Sequence, residues 1–64
     1  MGYYDAATRI ESLITAARYA SKGTAENKLQ EAINVVHSTS LTDSEKEELV
    51  YRIKSVANDL DCDI

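Results

Sequence analysis

The sequence predicts an all-α protein, a small three-helix bundle, on three observations. Apolar residues recur at spacings of three and four in three successive windows. No proline interrupts any of them, and the only glycines are Gly2 and Gly23. The third observation concerns strands, which need apolar residues to alternate with period two. Such alternation is confined to the terminal run Asp59-Leu60-Asp61-Cys62-Asp63-Ile64.

The first stripe is Ala6, Ala7, Ile10, Leu13, Ile14, Ala17 and Ala20, which predicts a helix over roughly residues 4–22. Gly23 follows as a helix-ending residue would, because a left-handed backbone at that position suits glycine. Thr24 is then expected to cap a second helix over roughly 25–37, with Glu26 near the positive end of its dipole. Its buried face reads Leu29, Ala32, Ile33 and Val36, and the polar run His37-Ser38-Thr39-Ser40 ends the pattern. The third helix, roughly 43–60, has the strongest start signal. Thr42-Asp43-Ser44-Glu45 is a capping box, in which hydroxyl and carboxylate each accept from the other residue's amide. Leu49, Val50, Ile53, Val56, Ala57 and Leu60 supply its apolar face. Asp59, Asp61 and Asp63 fall at the negative end of that helix dipole, so residues 60–64 are expected to form a frayed acidic tail. Residues 1–64 read as a single helical domain.

Size limits what such a chain can do. A domain of about 60 residues buries only about 60% of the surface its unfolded chain exposes. The large aliphatics here are five Leu, five Ile and four Val, beside eight Ala and no Phe or Trp. Association is a usual remedy for so thin a core, which makes a homodimer or other homo-oligomer an expectation.

Several function classes are disfavoured on composition. No apolar run approaches the roughly 18 residues of a membrane span, and Asp5, Arg9, Glu11 and Arg18 break up any signal-peptide core. Cys62 is the single cysteine, so no internal disulfide forms and a cytoplasmic, reducing location is expected. A zinc site needs three or four N or S ligands, and only His37 and Cys62 are available. Their expected roles are a solvated helix C-terminal residue and a free thiol. Asp59, Asp61 and Asp63 have the spacing of half a calcium loop, without its glycine and closing glutamate. Glu47 and Glu48 are adjacent, so on a helix they point apart and cannot share a proton. The expectation is a non-enzymatic chain with no catalytic residues, no metal and no cofactor.

Charge divides the chain. Residues 1–38 hold four acids and four bases; residues 39–64 hold seven acids and three bases, and so carry the whole net charge of −4. A helix-turn-helix drawn over Ala25–Val36 and the third helix would present Asp43, Glu45, Glu47 and Glu48 to phosphates, which argues against direct nucleic-acid binding.

What remains is binding to another protein, as a regulator or inhibitor acting by stoichiometric binding. Tyr3, Tyr4, Tyr19 and Tyr51 are the candidate anchors, since tyrosine offers an apolar ring with a water-tolerant hydroxyl. Glu47 and Glu48 are the candidate steering and rim contacts. The alternatives are an acidic decoy or anti-repressor that mimics nucleic acid to occupy a DNA-binding protein, and a structural subunit of a larger assembly.

Overall fold

The computed structural model describes residues 2–64, and Met1 lies outside the described residues. It contains α1 (Tyr3–Arg18), α2 (Lys22–His37) and α3 (Asp43–Asp59), packed into a bundle of 31 × 16 × 14 Å. The all-α, three-helix architecture expected from the periodicity is present. The stripes meet as one core, in which Ile10, Ile14, Leu29, Val36 and Ile53 are the largest fully buried side chains. Between them sit the buried alanines Ala6, Ala17, Ala25, Ala32 and Ala57, whose methyl groups let the helices approach closely.

The first turn of the chain differs from the expectation. α1 ends at Arg18, and the Tyr19 and Ala20 amides donate to the Ala16 and Ala17 carbonyls, at 3.3 and 3.2 Å, in a tightened last turn. Ser21, in extended backbone, is the residue before α2, and its carbonyl accepts the first helical bond from the Ala25 amide at 2.7 Å. Gly23 therefore lies inside the first turn of α2 and ends nothing. Its φ is not positive, and a Cβ there would meet no atom within 4 Å. Thr24 is not the cap either; its hydroxyl accepts from the Ser21 hydroxyl at 3.3 Å. The reason is Ala25, which is buried and extends the stripe of α2 back through Leu29, Ala32, Ile33 and Val36. Burying it requires the helix to begin before it.

The second connection is set by local hydrogen bonds. Thr39 is buried because its hydroxyl donates to the Val36 carbonyl at 2.7 Å, and Ser38 does the same to Val35 at 2.9 Å. The capping box then starts α3 as expected: the Glu45 amide donates to the Thr42 hydroxyl oxygen, and the Thr42 amide to the Glu45 carboxylate, both at 3.2 Å.

Residues 60–64 fold back instead of splaying from the helix end. The Cys62 amide donates to the Ala57 carbonyl at 2.8 Å and the Asp61 amide to Asn58 at 3.2 Å, the paired bonds of a Schellman turn. Asp61 occupies its left-handed position, with φ of 56°. The Asp63 amide then donates to the Glu26 carboxylate of α2 at 3.1 Å, and Cys62 and Ile64 pack against the core. A purely electrostatic reading of three acids at a helix end missed this apolar anchorage.

Two substitutions test these turns. Gly23→Ala is expected to raise stability by about 0.5 kcal/mol, because a helical glycine without a close neighbour gains only from a restricted unfolded chain. Asp61→Gly is expected to raise it by about 1 kcal/mol by relieving the left-handed backbone cost. Thermal melts followed by circular dichroism should move up by roughly 2–4 °C and 4–8 °C respectively; a fall for Gly23→Ala would restore glycine to a helix-ending role.

Candidate functional site

The six residues singled out as partner contacts do not converge. Tyr3 is half-buried and packs against the core, so its ring belongs to the bundle. Tyr4 is 82% exposed and Tyr19 88% exposed, at opposite ends of α1. At about 1.5 Å of rise per residue they are roughly 22 Å apart along the axis.

Tyr51, Glu47 and Glu48 do come together. The two acids precede the tyrosine by four and three residues, the spacing that stacks side chains on one helix face. That face lies opposite the buried stripe Leu49, Ile53 and Val56, which is why Tyr51 is 74% exposed and both acids face solvent. The capping box begins the helix immediately upstream, so these side chains stand on a rigid first half of α3.

Beside the core contacts of Leu49, Ile53 and Val56, one ion pair links α3 to α1. The Arg52 guanidinium donates through Nε and Nη2 to the two carboxylate oxygens of Glu11, the second at 3.0 Å, in a bidentate pairing across the bundle. The hydrogen bond from Arg52 holds the Glu11 carboxyl below its ordinary 4.5; slight burial opposes this, and the charges of Arg52 and Arg18 reinforce it. The same contact raises Arg52.

A second feature was not read from the sequence. α1 and α2 leave between them an open groove of about 660 Å³, with Leu13 and Val35 half-buried on its floor and Tyr4 at its mouth. Asp5 and Arg9 line one wall and Glu31 the other; no residue of α3 contributes. The available signal was Val35, an apolar residue beside the Val36 stripe that the core alone does not require. At the other end of the molecule a depression of about 210 Å³ is bordered by Lys54, Cys62 and Ile64; Cys62 is a half-buried free thiol. Among the described residues no three of His, Cys, Asp and Glu are grouped to hold a metal ion. No helix among the described residues is long and apolar enough to cross a membrane.

The chain matches no family model, and neither a curated protein nor a solved structure is significantly similar to it.

The Glu11–Arg52 pair predicts a pH effect whose sign follows from the lowered carboxyl. Its stabilisation is fully present above the ordinary value of 4.5 and disappears as the pH falls through the lower folded value. Both side chains are about half exposed, which limits the pair to under about 1 kcal/mol. Glu11→Gln should therefore lower the melting temperature at pH 7 by a few degrees, and its difference from the parent chain should shrink as the pH is taken progressively below 4.5.

Proposed function

We propose that the chain is a small non-enzymatic protein-binding module, a regulator or inhibitor acting by stoichiometric binding to a partner protein in the cytoplasm. The observation that carries this reading is the outward face of α3, where an exposed tyrosine stands beside two carboxylates on a rigid helix. An aromatic ring that loses its water at the centre of an interface supplies most of the affinity, and surrounding charges supply rate and selectivity. The partner surface that fits is basic, with an apolar recess for the ring of Tyr51. Tyr4 and Tyr19 stand at the two ends of α1 and not on the face of α3 that carries Tyr51. The nucleic-acid-mimicking alternative draws on the same acids, but Glu45 is engaged in the capping box and is less available to imitate a phosphate.

Affinity capture from the native host, followed by titration of the recovered partner, tests the reading. Tyr51→Ala is expected to weaken binding by about 30-fold, the effect of removing a hot spot worth ~2 kcal/mol. Glu47→Gln with Glu48→Gln should slow association and flatten its salt dependence. Tyr4→Ala and Tyr19→Ala serve as comparators on α1. The proposal fails if Tyr51→Ala binds like the parent while circular dichroism shows the helices intact.

A further inference from the structure

We infer that the α1/α2 groove is the seam of a symmetric homodimer, occupied by the same groove of a second copy. The inference goes beyond the α3 contact proposed above, because no residue of α3 lines this groove.

Three observations choose the occupant. The first is the register of charge across the groove. α1 and α2 run antiparallel through the short turn at 19–21, and Arg9 and Glu31 lie equally far in sequence on either side of Ala20, so they occupy the two walls at the same height. Consider a two-fold axis in the plane of this face, parallel to the helices. It lays α1 of one copy over α2 of the other, antiparallel, as neighbours in a four-helix bundle. Arg9 of each copy then faces Glu31 of the other, and the complementarity is satisfied twice by a single operation.

The second observation is that Arg9 has no partner among the ion pairs inside the chain, and Glu31 has only a long, exposed one. Ion pairs among the described residues join Lys22 to Asp61, Arg52 to Glu11, and Lys28 to Glu31, the last at 4.0 Å between exposed groups. Arg9 takes part in none of them. The third is the distribution of net charge. The α1/α2 part of the chain is neutral, whereas residues 39–64 carry −4. Two copies that approached through α3 would repel; through the hairpin they do not. Leu13 and Val35, half-buried in one copy, lose their remaining water when the second copy closes the groove, and Tyr4 covers its end. A standard interface of roughly 800 Å² per partner is about a fifth of the 4109 Å² surface of the chain, within reach of a two-helix face.

Sedimentation equilibrium on the full chain, with charge-reversed variants, tests the seam. The parent should approach twice its 7.1 kDa mass as concentration rises. Arg9→Glu places Glu against Glu31 of the second copy, and Glu31→Arg places Arg against Arg9; each alone should dissociate at least about tenfold more readily. Mixing the two single variants restores opposite charges at both contacts, so the mixture should form a heterodimer although neither variant dimerises well alone. The doubly reversed chain should likewise recover the parental association. Circular dichroism of each variant establishes that its helices persist, and Arg9→Gln and Glu31→Gln provide neutral versions if a reversal unfolds the chain: each alone should weaken the dimer, and their mixture, which regains one of the two Arg9–Glu31 contacts, should recover part of the association. A parent chain that stays at 7.1 kDa at every concentration overturns the proposal, as does a mixture of the single variants that associates no better than either alone.

Discussion

The volume available between the helices governs the rest of this molecule. Ala6, Ala17, Ala25, Ala32 and Ala57 stand where helices face one another, and the remaining space is filled by Ile, Leu and Val. No ring stands on a buried stripe: three of the four tyrosines are outside, and the fourth, Tyr3, is half-buried at the start of α1. A core built this way also buries little area per residue, so faces left over on α1 and α2 retain half-covered aliphatic side chains such as Leu13 and Val35.

How the sequence could and could not be read follows from the range of each interaction. Helix identity and the core stripe are local, period-governed properties, and Ile10, Ile14, Leu29, Val36, Leu49, Ile53 and Val56 were all legible from spacing. So was the capping box, whose four residues make all of its bonds among themselves. The turn between α1 and α2 was not legible, because Gly23 and Thr24 resemble a helix end and a cap locally while burial of Ala25 overrules them. The tail was misread for a related reason: three acids dominate its composition, yet Cys62 and Ile64 dock on the core. Of the partner residues, the grouping of Tyr51 with Glu47 and Glu48 follows from helical spacing. The groove does not, since it needs the antiparallel register of two helices before Arg9 and Glu31 can be placed opposite each other.

Charge is partitioned in a way that mirrors this geometry. The neutral hairpin and the acidic third helix share one core, and the Glu11–Arg52 pairing adds a link between them at the surface. That pairing contributes modestly to stability because it is half exposed. The buried stripe of α3 sets which way that helix faces: Tyr51 stands on its opposite side, and no residue of α3 lines the groove, so the two faces do not overlap. In a paired molecule with its seam along α1 and α2, two such tyrosine faces would be displayed outward.

The Schellman turn and the Glu26 contact join parts of the chain that are distant in sequence. The amide of Asp63 is held by a carboxylate in the second turn of α2, and the Cys62 amide by the last turn of α3. The tail is thus attached at two places, to α2 through Glu26 and to α3 through its own turn. Release of the Asp63 amide from Glu26 would free the tail from α2 while the turn on α3 stays closed, so the two attachments can be lost one at a time.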